Sequence, residues 1–239
     1  MSSLEAAAHL PASNRLLTAL PRREYKRLLP HLECVPLSYK AVLHEPGGPI
    51  KHLYFPLSGM LSLLSVRDGQ GGCIEVGVVG REGMVGLPFF LGTRMAITQS
   101  LVQLAGEALR IRANKFRRLI GSQSKLHKVL LRYTHVRLMQ ATQWVACNSL
   151  HPVEKRLCRW LLTVHDRASG DCLPLTHKLL AAMLGVRRAS VTEAARRLRR
   201  AGLIDYGGGQ LTILDRNGLE GAVCGCYHAV RAEQLRLLG

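Results

Sequence analysis

The sequence predicts an α+β protein in three parts. Residues 1–113 read as N-terminal helices and a roll of short strands, 114–149 as a long helix and hinge, and 150–239 as a helical domain with a hairpin. Three observations predict this. Short β-prone runs separated by glycine fill Cys34 to Ile111. Apolar side chains then return at alternating three- and four-residue spacing from Leu126. Beyond them, two short amphipathic helices meet at Gly185 and lead into a glycine-rich turn between apolar runs.

From Ser13 to Glu33 the leucines at 16, 17, 20, 28 and 29, with Tyr25, recur at helical spacing, and Pro21 interrupts them. The runs Leu53-Tyr54-Phe55, Leu61 to Leu64 and Ile74 to Val78 read as strands. Their breaks are Gly47-Gly48-Pro49, Gly59, Asp68-Gly69 and Gly80. Many short strands at close intervals indicate a small barrel or roll. Helix returns from Asn114 to Cys147, broken at Gly121. Leu126, Val129, Tyr133, Val136, Gln140, Gln143 and Cys147 form a heptad seam, and the first six are the expected dimer contact. Asn148-Ser149 is the expected hinge. Pro152 and Glu154 then start a helix whose apolar face is Val153, Leu157, Trp160, Leu161 and Val164.

The chain has 239 residues, 47% of them hydrophobic, enough for two ordinary domains. Lys and Arg number 33 against 16 Asp and Glu, a formal charge of +17. That balance favours a polyanionic partner, because every phosphate neutralised releases counterions. There is no apolar run long enough to cross a membrane and no signal-peptide pattern in Met1 to Leu10, so a cytoplasmic protein with no membrane partner is expected. The seven cysteines are scattered and form no CxxC pair, so no metal site is expected. Of these, Cys224-Gly-Cys226 is the tightest pair, and Cys147 and Cys158 flank the hinge. No P-loop, Gly-x-Ser-x-Gly, His-Glu-x-x-His or dinucleotide fingerprint is present, so no catalytic residue and no enzyme activity is expected.

The segment Leu175 to Ile204 carries the functional signal. Thr176 is placed to cap a helix whose buried face is Leu179, Leu180, Met183 and Leu184. Ala181 is small where a second helix must cross, Gly185 suits a turn with positive φ, and Val186 fills the turn. Val191, Ala194, Ala195 and Leu198 give the second helix its buried face, and Gly202 ends it. This is helix-turn-helix spacing. The open face carries Arg187, Arg188, Ser190, Thr192, Glu193, Arg196 and Arg197. Between His151 and Gly202 there are eleven Lys or Arg against four acidic residues. The Gly207-Gly208-Gly209 turn between Leu203-Ile204 and Leu211 to Leu214 predicts a wing, and Asp215 to Leu238 a closing helix.

Double-stranded DNA is therefore the expected partner, read in the major groove by the N-terminal half of the second helix. Arg188 is assigned a bidentate contact to guanine. Ser190 and Thr192 are assigned a phosphate or a base edge. Glu193 either accepts from cytosine or orients an arginine. Arg187, Arg196 and Arg197 go to phosphates or solvent, and Thr176 and Lys178 to the flanking backbone. The alternative is a small-molecule or redox-sensing module whose basic helical domain binds a protein.

The order of helix, roll, long helix, hinge and winged helix resembles the Crp/Fnr family of bacterial transcription regulators over nearly the whole chain. The run from Leu180 to Thr192, with Leu198, Gly202 and Ile204, carries the resemblance best. His44-Glu45-Pro46-Gly47, Leu53-Tyr54-Phe55 and Gly59 are similar to the front of a cyclic-nucleotide-binding roll. The resemblance implies a homodimer reading a two-fold-related site, RNA polymerase as a partner, and a small-molecule effector acting on the roll. In members that bind cyclic AMP, a Gly-Glu pair and an Arg-Ser pair hold ribose and phosphate. Here Leu87 follows Gly86, Ala96-Ile97 stand near the Arg-Ser position, and Arg94 is shifted with no serine beside it. A cyclic phosphate would lack its anion partner, so cyclic AMP is not expected to bind and no cofactor is predicted. Ala189 and Glu193 also depart from the common recognition-helix pattern, which leaves the operator open.

Overall fold

The computed structural model describes residues 14–66 and 72–238. These divide into two compact units. One contains 14–65, 77–138 and 233–238, the other 66, 72–76 and 139–232.

The first unit opens with α1 (Arg15–Thr18) and α2 (Arg22–Leu28), a break that falls at Pro21 as the sequence predicts. Asn14 is fully buried and caps α1, accepting from the Leu16 and Leu17 amides while its Nδ2 donates to the Pro56 and Gly83 carbonyls at 2.9 Å. Seven strands follow: β1 (Glu33–Leu37), β2 (Val42–His44), β3 (His52–Pro56), β4 (Met60–Val66), β5 (Cys73–Val79), β6 (Gln99–Leu104) and β7 (Gly106–Arg112). A short helix α3 (Leu87–Phe90) interrupts them. They form two sheets, in the orders β1-β7-β3 and β2-β6-β4-β5. Alternation along β3 explains why the run Leu53-Tyr54-Phe55 is apolar throughout. Leu53 and Phe55 pack with Leu109, Ile111 and Phe116 in one core cluster, and Tyr54 packs with Leu37, Leu61 and Val102 in the other. A strand buried on both faces carries no polar alternation.

After α4 (Ala113–Leu119) comes the long helix α5 (Lys125–Leu150). Leu126, Val129, Tyr133 and Val136, the apolar part of the expected dimer contact, lie in the core of the first unit. All four belong to the core cluster with Leu53, Phe55 and Met84, and none is more than 5% exposed. The Tyr133 hydroxyl donates to the Met84 carbonyl at 3.1 Å. A Cβ at Gly83 would press on the Tyr133 ring and hydroxyl, so glycine suits the close approach. Gln140 is buried, and the half-buried Gln143 donates through Nε2 to Cys226 Sγ at 3.1 Å. The stripe that α5 leaves exposed is Leu131, Leu138 and Val145, at 50%, 67% and 68% exposure and seven-residue spacing. Asn148 and Ser149 lie within the helix, which ends at Leu150, so the chain turns at His151-Pro152.

The second unit holds α6 (Val153–His165), with Leu157, Trp160, Leu161 and Val164 buried as expected and Val153 half-exposed. Arg156 and Arg159 are buried on the same helix, which polarity alone would not suggest. β8 (Cys172–Leu173) leads to α7 (His177–Leu184) and α8 (Arg188–Arg200). β9 (Ile204–Gly207) and β10 (Gln210–Ile213) follow, and the sheet order is β8-β10-β9. The expected single closing helix is two, α9 (Arg216–Ala222) and α10 (Gly225–Leu238), because Val223 leaves helical geometry at ψ 160°. No helix among the described residues is long and apolar enough to cross a membrane.

Candidate nucleic-acid interface

The interface is built by α7, α8 and the β9–β10 hairpin. Thr176 stands in extended geometry and its Oγ1 accepts the Leu179 amide at 3.1 Å, the predicted cap. Leu180, Met183 and Leu184 are buried, and Leu179 is half-buried at the edge of that face. Ala181 lies under the turn, its carbonyl accepting the Val186 amide at 3.0 Å. Gly185 ends α7 at φ 63°, ψ 39°, the left-handed region where a Cβ is strained. Val191, Ala194, Ala195 and Leu198 turn inward from α8. Arg156 Nη2 donates to the Leu184 carbonyl, satisfying an orphan acceptor at the end of α7. The wing turn has Gly208 at φ 60° and Gly209 at φ 78°, the two positive values that a two-residue hairpin of this hand requires.

On the open face Arg187, Arg188, Arg196, Arg197, Arg199 and Arg200 are all exposed. They are not equivalent. Glu193 Oε2 accepts from Arg196 Nη1 at 2.7 Å and its Oε1 from Arg197 Nε at 3.4 Å, and Glu154 lies 3.5 Å from Arg197. Arg199 pairs with Asp205 at 2.8 Å. Arg187 and Arg188 make no ion pair among the described residues, which leaves the N-terminal end of α8 with undivided positive charge. Of the two roles considered for Glu193, the geometry has it orienting arginines.

Thr192, expected at a phosphate or a base edge, also has partners within the domain. Its Oγ1 donates to the Arg188 carbonyl and accepts from His177 Nδ1 at 3.0 Å, so it ties α8 to α7. The signal for His177 was its place as the first residue of α7, one after the cap. Its ring stacks on Tyr206 of the wing at 4.2 Å and 20°, so one imidazole joins both helices and the hairpin. With Nδ1 donating, Nε2 is buried without a partner among the described residues. Burial, and secondly the Arg188 charge, hold its pKa below the usual 6.5. The unfolded chain therefore takes up this proton first, and the stability tied to neutral His177 is present above pH 6.5 and lost as pH falls through the folded value. Replacing His177 with phenylalanine keeps the stacking ring and removes the titration. Melting temperature should fall less steeply on acidification in H177F than in wild type, and parallel slopes would rule His177 out.

Similarity to known proteins fits this geometry. Residues 155–222 match the model of the Crp-like helix-turn-helix domain. The chain is 27% identical over 194 residues to the transcriptional regulator SdrP of Thermus thermophilus, covering 77% of this chain and 92% of that protein. In this chain, residues 155–222 form a Crp-like helix-turn-helix domain. Solved structures share the fold. TTHA1359, a Crp/Fnr regulator of Thermus thermophilus, superposes with a TM-score of 0.67 at 24% identity, covering 80% of this chain and 97% of that one. FixK2 of Bradyrhizobium japonicum gives 0.68 at 14% identity over 81% and 98%.

In the first unit the roll residues that depart from the nucleotide-binding pattern have structural places. Gly86 adopts φ 98° and starts α3, and Leu87, Phe89 and Phe90 pack against the core cluster, so the run from Leu87 to Leu91 closes the roll. Ala96 is buried and Ile97 is 76% exposed. An open groove beside them is lined by Lys51, His52, Arg94, Arg112 and Arg117. Burial is the main force pushing the Cys147 and Cys158 thiols up to about 12, so neither is the low-pKa thiolate that oxidants attack first. This weighs against the redox-sensing alternative at those two positions.

Proposed function

We propose that this regulator is a cytoplasmic homodimer that binds a two-fold-related site in double-stranded DNA and answers to an effector in its roll. The observation that carries the DNA reading is the unpaired Arg187-Arg188 end of α8, presented beyond a left-handed Gly185 turn and beside a glycine-turned wing. Arg188 and Ser190 address base edges. Thr176, Lys178, Arg187, Arg196 and Arg197 address the backbone. Support for the dimer is the exposed Leu131, Leu138 and Val145 stripe, whose seven-residue repeat is that of a parallel two-helix seam. Such a pair sets two recognition helices about 34 Å apart, one turn of DNA. RNA polymerase is the expected partner at the promoter.

The proposed effector differs from cyclic AMP, because Leu87, which packs against the core cluster, stands where the resemblance calls for a ribose-binding glutamate. The basic groove of Lys51, Arg94, Arg112 and Arg117 suits an anion instead. Titration calorimetry with cyclic AMP and cyclic GMP should show no binding at micromolar concentration, and a micromolar constant would overturn this reading. The DNA reading is tested by a mobility shift on promoter fragments recovered from genomic DNA bound by the protein. Retention against single-stranded and random duplex competitors supports it. Equal competition by all three removes sequence specificity.

A further inference from the structure

We propose that Cys147, His151, Cys224 and Cys226 form a zinc site that fastens the end of α5 to the start of α10. The side-chain donor atoms of these four residues lie within 4.8 Å of one another, and the three cysteines are buried. Cys147 Sγ stands 3.6 Å from Cys224 Sγ, and Cys226 Sγ stands 3.6 Å from His151 Nδ1. A tetrahedral ion with Zn–S bonds of about 2.3 Å and a Zn–N bond of about 2.0 Å needs ligand separations of about 3.8 Å for sulfur pairs and about 3.5 Å for sulfur and nitrogen. Two of the edges already have those lengths.

The chemistry of the set selects the ion. Three thiolates and an imidazole are soft and borderline donors, which suit Zn²⁺ and disfavour Mg²⁺ or Ca²⁺. Four protein ligands close the coordination sphere, which marks a structural role rather than a catalytic one. The outer groups complete the pattern. Gln143 Nε2 donates to Cys226 Sγ at 3.1 Å, as second-layer donors do around metal thiolates. Arg159 is 2% exposed, with its guanidinium 4.4 Å from the Trp144 ring, and its Nε and Nη1 have no hydrogen-bond partner among the described residues. A buried cation needs a compensating charge. Zn²⁺ with three thiolates carries net charge −1, and Arg159 offsets it. A Cys147–Cys224 disulfide would account for two of the groups and leave Cys226, His151 and Gln143 without a reason to converge. The proposal reverses the expectation, drawn from the lack of CxxC spacing, that the cysteines hold no metal.

The test uses the full-length protein, purified under reducing conditions, reconstituted with zinc alone and desalted. Metal per chain is measured by plasma mass spectrometry. One zinc per chain is expected, lost in C226S and H151Q and kept in C158S and C172S, whose thiols lie outside the cluster. A wild type without zinc after reconstitution overturns the proposal. So does zinc kept by the double variant C147S/C226S, which would show an adventitious ion only. Should a ligand variant fail to fold, the wild type loaded with cobalt decides. Intense d–d bands with thiolate charge transfer support a tetrahedral sulfur site, and the weak spectrum of octahedral cobalt refutes it. A Cys147–Cys224 disulfide in metal-free native protein refutes it equally.

Discussion

Replacing Leu131 and Leu138 together with glutamate should give a folded monomer whose affinity for a two-fold-related operator is lower by about 10²- to 10⁴-fold. Both side chains face solvent on α5, and neither belongs to a core cluster, so the single chain loses little packing. Glutamate is also a good helix former, so α5 itself is preserved. In the proposed dimer the same positions would meet their symmetry mates, and four carboxylates facing one another across a dry seam would oppose association. The operator loss follows because a monomer binds one half-site at a time. The second helix then no longer benefits from the effective concentration that the first contact creates. Sedimentation velocity and a mobility shift on full and half sites read the two effects. Leu126→Glu is the informative contrast. Leu126 is 3% exposed in the core, so its charge should unfold the first unit rather than dissociate intact subunits. A variant L131E/L138E that remains dimeric with unchanged operator affinity would exclude the exposed stripe as the seam.

That contrast also shows where the sequence was legible. α5 carries two apolar stripes of nearly the same period, and hydropathy favours the one with Leu126, Val129, Tyr133 and Val136. Period alone cannot tell the roll from a second helix, since both bury a stripe. Only the tertiary neighbours, Leu53, Phe55 and Met84, decide it. The helix-turn-helix was legible because its demands are local. A left-handed residue, a small residue and a cap fall within ten positions of one another, and Thr176, Ala181 and Gly185 supply them. The Thr192 bond to His177 was not legible, because His177 lies on the preceding helix and reaches it only after the helices cross. The cysteine–histidine cluster was hidden for the same reason. Cys147 and His151 are four apart at the end of one helix, Cys224 and Cys226 two apart at the start of another, and neither pair has a metal spacing by itself. The break between α9 and α10 sets the second pair in place, and a single closing helix would not.

Arg188→Ala should cost about 1–3 kcal/mol per half-site on a specific operator and much less on random duplex. In a dimer both recognition helices carry the change, so the operator loses about 2–6 kcal/mol if the half-sites contribute additively. Arg188 is singled out among six exposed arginines by position and by charge. It is the first residue of α8, the end proposed to enter the groove, and it has no carboxylate partner among the described residues. Arg196 and Arg197 already share Glu193, so their positive charge reaches DNA partly neutralised. Arg196→Ala should therefore weaken specific and random DNA alike, and modestly. Arg188→Lys separates the two roles further, because lysine keeps the charge but lacks the planar fork that grips guanine O6 and N7. It should preserve the dependence of affinity on salt while losing discrimination at one base position. Fluorescence anisotropy over a salt series, on operator and scrambled duplex, reads both quantities. An equal loss on the two duplexes, with the salt slope reduced by about one per contact, would make Arg188 a phosphate contact. Base reading would then fall to Ser190 and the wing, because Thr192 is held by His177 and Glu193 by its arginines.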